Sequence, residues 1–297
     1  MAKKFVWLGA LLVMLVIVPQ TKALVIEDLY FDLGTNLDPS DNDSITSPFS
    51  IFDMESYYTF RFSGVTNSSN ITVGTTVYNE GHAIVQALQD KDNNLVPDLE
   101  GMVVQAATTP GTLPVGAWEL TLSWSNVSGK IVSGAWGMYK VSYNPGGNFS
   151  LYLDFSPEAN ENGTPSNPLD DTGFSSDADT HLILGAELLS GETYLLGTGD
   201  LTLYNLKINA VDTSYLTSYS YDLDSLVGQN LLLASFSSSA PLGQGVYGFI
   251  NNDLAIFSQG EATLKLDPIP EPTTLLLSGL GLFLVSFLLR KSKKFVV

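Results

Sequence analysis

One-for-one alternation of apolar and polar residues recurs through the middle of the chain, and no other feature restricts its fold as tightly. "WELTLSW" (Trp118 to Trp124), "FSLYLDF" (Phe149 to Phe155), "YTFRF" (Tyr58 to Phe62) and "ATLKL" (Ala262 to Leu266) each gather their apolar side chains on one side. A helix repeats every 3.6 residues and scatters such a pattern around its axis, whereas a pleated strand keeps it on one face. Strands with one apolar and one polar face belong to antiparallel sheets. The segments are short and separated by Gly, Asn, Ser and Pro, and the middle of the chain holds no dozen residues with convincing helical period. The expected class is therefore all-β, an antiparallel β-sandwich with jelly-roll-like topology. In "LTLYNLKINA" the apolar positions are odd at Leu201 and Leu203 but even at Leu206 and Ile208, which predicts a β-bulge at Tyr204-Asn205.

The two ends are built differently. Lys3 and Lys4 precede the apolar run Phe5 to Val18, and Thr21-Lys22-Ala23 places small residues where signal peptidase requires them. Residues 1–23 are read as a signal peptide cleaved after Ala23. Residues 273–289 form a second run without charge, reaching about 26 Å as a helix against a bilayer core of about 30 Å. Such a span suits a transient stop, held in the inner membrane by Arg290, Lys291, Lys293 and Lys294 on the cytoplasmic side. Between the ends, residues 24–267 make one exported domain, and Pro268, Pro270 and Pro272 at alternate positions predict an extended stalk.

Pro270-Glu271-Pro272, then Thr273-Thr274, the Leu/Gly-rich span and the basic tail at 290–294 together resemble the PEP-CTERM sorting signal of Gram-negative envelopes. The resemblance implies a precursor in the inner membrane, recognition by an exosortase, cleavage near Pro270, Glu271 and Pro272, and delivery to the cell surface, outer membrane or extracellular matrix. Phe295-Val296-Val297 after the basic cluster departs slightly from the pattern.

Residues 1–23 carry three lysines and residues 272–297 four cations, with no acid in either, so residues 24–271 hold all 31 acids against six bases, a net charge of −25. A body so acidic repels phosphate backbones and anionic lipid, which excludes nucleic acid as a partner. The chain has no cysteine, which rules out disulfides, thiol catalysis and thiolate metal sites.

Two segments carry spacing that suits a cation. Asp90, Asp92 and Asn94 stand at the first three ligand positions of a calcium loop, but Leu95 occupies the place of the turn glycine and Gly101 that of the closing Glu, so an EF-hand is ruled out and only a looser calcium loop is left open. Asp177, Asp179 and His181 lie at i, i+2 and i+4, on one side of an extended strand, where a hard or borderline metal would find them together. "GQGVYG" fits Gly-x-Gly-x-x-Gly by letters, yet the following "FINNDLAIF" reads as strand, leaving no helix N-terminus for a phosphate. The polar segments Asp38 to Pro48 and Pro157 to Ser176 are expected to be loops over one end of the sandwich. No nucleophile elbow accompanies His82 or His181. Trp118 and Trp124 share parity with Leu120 and Leu122 and belong to the core, while Trp136, flanked by glycines, is a candidate sugar platform. The expected role is a non-enzymatic structural or interaction protein of the surface or matrix, served during export by signal peptidase and exosortase, with no cofactor unless calcium. A carbohydrate-binding module with extracellular polysaccharide as partner is the alternative, and a secreted hydrolase the third reading.

Overall fold

The computed structural model describes residues 26–33, 45–96, 102, 117–135, 138–155, 157, 159, 173–174, 180–196, 199–237 and 246–265. The expected signal peptide, the sorting segment with its span 273–289, Trp136, Asp177 and Asp179 lie outside them. Among the described residues there is no α-helix, and none is long and apolar enough to cross a membrane.

The strands are β1 (Leu29–Phe31), β2 (Ile51–Phe62), β3 (Thr76–Gln89), β4 (Glu119–Ala135), β5 (Met138–Tyr143), β6 (Asn148–Asp154), β7 (Thr180–Leu196), β8 (Gly199–Val211), β9 (Leu216–Ser218), β10 (Asn230–Ser237), β11 (Val246–Ile250) and β12 (Asp253–Lys265). All named pairings are antiparallel, as the alternation requires. The jelly-roll-like sandwich is not the arrangement found. Ten strands form one sheet in which β2 pairs β3, β3 pairs β4, β4 pairs β5, β6 pairs β7 and β7 pairs β8, while β10 pairs both β8 and β12, closing the sheet into a barrel. A Greek key needs long crossovers between distant strands; here Phe62 to Val77, Ala135 to Met138, Leu196 to Gly199 and Ile250 to Asp253 are direct hairpin partners. The last turn, Asn251-Asn252, has φ of 54° and 70° at its two central residues, the left-handed pair that a two-residue hairpin demands and that Asn tolerates.

β5 and β6 occupy one position in the circuit, each lying between β4 and β7, and β10 and β11 share the edge of β12. The wall therefore has eight positions, about the number at which side chains alone fill a barrel. They fill it here: Phe52, Phe60, Val77, Val85, Leu120, Val141, Leu151, Leu153, Leu206 and Leu264 are all buried in one core.

The short hairpins stand at one end. At the other, where β2 begins, the ladder of β1 with β9 presents Phe31 to a cluster of Phe49, Phe52 and Trp118, with ring centroids 5.1–6.3 Å apart. Each of these rings is fully buried and contributes roughly 2–3 kcal/mol relative to exposure.

On the outer face, Tyr57, Thr59, His82 and Ile84 are buried although the alternation assigns them to solvent. Ala159 and Phe174 lie on this face: they form one buried cluster with Ile84, and Phe174 stacks on the His82 ring at 3.8 Å. The segment expected to be a polar loop over one end thus contributes two buried apolar residues to the side of the barrel. Burial of the Phe174 ring removes from water apolar surface that composition alone reads as solvated.

Candidate functional site

A polar layer runs through the interior. Its centre is Asp200 on β8, fully buried, whose Oδ1 accepts from the Tyr58 hydroxyl of β2 at 2.7 Å and from Thr202 Oγ1 at 3.4 Å, while Oδ2 accepts from Ser258 Oγ of β12 at 3.4 Å. Thr202 lies 2.8 Å from Thr193 Oγ1 of β7, which lies 3.0 Å from the Tyr143 hydroxyl of β5. A second centre is Asn79 of β3: its Oδ1 accepts from Tyr204 at 2.6 Å and from Trp124 Nε1 at 2.7 Å, and its Nδ2 donates to the Thr59 carbonyl at 3.2 Å. The layer ties together β2, β3, β4, β5, β7, β8 and β12.

Gly81 makes room for it. A Cβ there would fall 2.7 Å from Trp124 Cζ2 and 2.5 Å from Tyr58 Cβ, so only glycine lets both rings reach their acceptors. Burial pushes the Asp200 carboxyl up to about 7, against the hydrogen bonds of Tyr58, Ser258 and Thr202, which favour its ionised form. Burial likewise raises Tyr143 and Tyr204, so both phenols stay protonated and able to donate. The layer can hold or release one proton at Asp200, which the core encloses.

Sequence reasoning missed this layer. It put Leu201 and Leu203 in the core phase, whereas the inward row of β8 is Asp200, Thr202, Tyr204, Leu206 and Ile208, and Leu203 is 36% exposed. β8 therefore keeps one phase from Asp200 to Ile208. The pairing with β7 shifts twice, with the extra residue at Leu189 of β7, opposite Asn205 and Leu206, and at Asn209 of β8, while the pairing with β10 runs unbroken from Lys207 to Asp200, so β8 itself carries no bulge at Tyr204-Asn205. The useful signal was the even row of hydrogen-bonding residues, which outward leucines disguised.

The expected cation residues are placed as follows. Asp90 uses its carboxylate to close its own turn, accepting from the backbone of Asp92 at 2.8 Å and of Asn94 at 2.9 Å and from Asn94 Nδ2 at 2.9 Å. The Asn94 donors hold Asp90 below the usual carboxylate range. Lys91 pairs with Asp92 at 3.1 Å. His181 does not stand alone on a strand: its Nε2 lies 3.3 Å from the Tyr215 hydroxyl, and its ring packs between Tyr215 and Phe155. Among the described residues no three His, Asp or Glu side chains are grouped so as to hold a metal. Glu119 and Asp154 face each other directly across β4 and β6, both buried on the outer face, where Glu119 Oε1 accepts from the Ala159 amide at 2.9 Å. Carboxylates directly opposed across two strands disfavour each other's charge, and the Ala159 amide offsets this at Glu119.

Beyond Lys265 of β12 the chain passes to the Pro-rich stretch, and there a family model matches residues 268–293. They are a PEP-CTERM protein-sorting motif. No curated protein and no solved structure matches the chain. The PEP-CTERM match takes in Pro270, Glu271, Pro272, Arg290, Lys291 and Lys293, with Lys294 next after it. It indicates targeting by an exosortase and an extracellular or surface destination. Because the PEP-CTERM motif covers less than a tenth of the sequence, it speaks for the tail and not for the chemistry of the barrel.

Proposed function

We propose that the chain is a structural or interaction protein of the cell surface or extracellular matrix, made as an inner-membrane precursor and released by exosortase cleavage near Pro270 to Pro272. The PEP-CTERM motif carries this reading. Signal peptidase removes residues 1–23, the span 273–289 holds the precursor, and the basic tail fixes its cytoplasmic end. A non-enzymatic role accords with an interior acid shut inside the core among hydroxyl groups. The acidity of residues 24–271 keeps the released protein soluble and away from anionic polymers.

Replacing Pro270, Glu271 and Pro272 by alanine is expected to leave full-length protein in the inner membrane. Intact mass of surface-extracted wild type is expected to show a chain beginning near Leu24 and ending near the motif. A surface protein that retains Val297, or a triple variant that reaches the surface unchanged, would overturn the reading and leave the tail a plain anchor.

A second reading, carbohydrate binding, is favoured by one observation on the described surface. Tyr219, 71% exposed, stacks face to face on Tyr30.

A further inference from the structure

The two-stranded ladder of β1 and β9 turns Leu29, Phe31 and Leu216 inward, where all three are fully buried. Tyr30 and Thr217, directly paired, are on the opposite face. Tyr219 continues that row past the end of β9, and its ring lies 4.3 Å from the Tyr30 ring at an interplanar angle of 26°. One face of Tyr219 is thus backed by a second ring while most of the side chain is open to solvent. This is a rigid aromatic surface whose ordering entropy is already spent in the free protein.

A carboxylate is fixed beside it. Asp28 Oδ1 accepts from Ser218 Oγ at 2.6 Å and Ser220 Oγ at 2.8 Å, and Oδ2 accepts from the Ser220 amide at 2.8 Å. These serines flank Tyr219 on either side, so the same bonds that hold Asp28 also hold the ring. Partial burial works against the charge, but the donors at Ser218 and Ser220 outweigh it and keep Asp28 below the ordinary carboxylate value. Ser218 Oγ also accepts from the Ser220 and Tyr221 amides, at 3.3 and 3.1 Å, which fixes it in place, whereas the Ser220 hydroxyl retains lone pairs for a donor from outside.

An open ring face next to a fixed anion selects a ligand carrying a cation on a hydroxyl-rich frame. The negative ring face and the carboxylate attract ammonium, the Ser220 oxygen accepts a hydroxyl or amine hydrogen, and the net charge of −25 draws cationic polymers and repels uronate or phosphate polymers. We propose that Tyr219 and Tyr30, with Asp28, Ser218 and Ser220, form a binding platform for a polysaccharide bearing free amino sugars. This rests on the reading that the protein works outside the cell, although the platform can be tested without any processing having occurred.

The test is titration calorimetry of the full chain in detergent with glucosamine oligomers, using N-acetylglucosamine oligomers of the same length and an alginate as neutral and anionic probes. Saturable binding of the glucosamine oligomer is expected, with the acetylated oligomer several-fold weaker and the alginate not bound. Tyr219→Ala leaves the charge unchanged and is expected to weaken binding about five- to tenfold. Tyr219→Phe keeps the stack and is expected to bind as wild type, and Asp28→Asn should lose affinity with a reduced salt dependence. Melting curves of each variant confirm that it is folded. If Tyr219→Ala binds like wild type, the acidic body is simply attracting a polycation and the platform fails. Equal affinity for the acetylated oligomer overturns the cationic assignment.

Discussion

β6 and β8 line opposite sides of β7 and solve the same packing task in opposite ways. β6 turns Phe149, Leu151 and Leu153 inward and Ser150 and Tyr152 outward. β8 turns Asp200, Thr202 and Tyr204 inward and Leu201 and Leu203 outward. An inward acid on an otherwise apolar wall would cost several kcal/mol if left alone. It persists because Tyr58 and Ser258 reach it from β2 and β12, so the polarity of one strand is compensated by residues far away in sequence. Stability on the β6 side comes from area and shape. On the β8 side it comes from a set of directional bonds that also fixes how strands are matched around the barrel.

The largest effect is expected on the apolar wall. Phe149 is buried and contacts both the Trp124 ring, at 6.3 Å, and the Tyr204 ring, at 5.3 Å. Phe149→Ala removes transfer energy and opens a cavity, with an expected loss of about 3–5 kcal/mol in chemical denaturation. It should also loosen the polar layer it supports, visible as faster exchange of the Trp124 indole proton. A loss below about 1 kcal/mol would mean that the two walls are not mechanically coupled.

The polar wall is expected to show itself through pH. The folded-state value of Asp200, about 7, lies above its ordinary value of 3.8, so the folded protein binds the proton more tightly than the unfolded chain does. Stability from this group is therefore fully present below the ordinary value, declines as pH rises towards 7, and levels off above it. Between pH 5 and pH 8 the decline is expected to be about 2–3 kcal/mol, a fall of roughly 5–10 °C in melting temperature. Asp200→Asn keeps an acceptor for Tyr58 and cannot ionise, so its melting curve should lose this slope while retaining that of the remaining acids. Identical slopes in wild type and variant would place the ionisation elsewhere.

Much of this molecule was legible in its sequence, and the missed parts share one cause. Trp118, Trp124, Phe149 and Ala262 are buried as the alternation places them, and the tail at Pro270 to Pro272 reads directly because a sorting protease meets it as a linear string. Barrel closure was not legible, since it depends on β10 finding β12 across the intervening β11, and no local pattern specifies that pairing. Nor was the Asp200 layer: period-two reading assigns faces by hydrophobicity, and β8 carries its leucines on the outside. The outer cluster was hidden too, because a polar-looking stretch contributes Ala159 and Phe174 to the side of the barrel.

The smallest expected effect is the most direct check on that inverted strand. Leu203 belongs to the run "LTLYNL", and alternation alone places it in the core, where truncation costs about 2–5 kcal/mol. The barrel places it on the outer row of β8, 36% exposed, paired with Glu192 of β7 and Ala234 of β10. Leu203→Ser should then change stability by no more than about 0.5 kcal/mol, the ordinary range for a surface position. Its neighbour supplies the contrast, because Thr202→Val has nearly the same shape and would remove the hydroxyl bridging Asp200 and Thr193. That change leaves Thr193 without one partner in a dry interior and should cost about 1–3 kcal/mol. If the two variants exchanged these values, β8 would be turned over by one residue, and every contact drawn from Asp200 to the far wall would be lost with it.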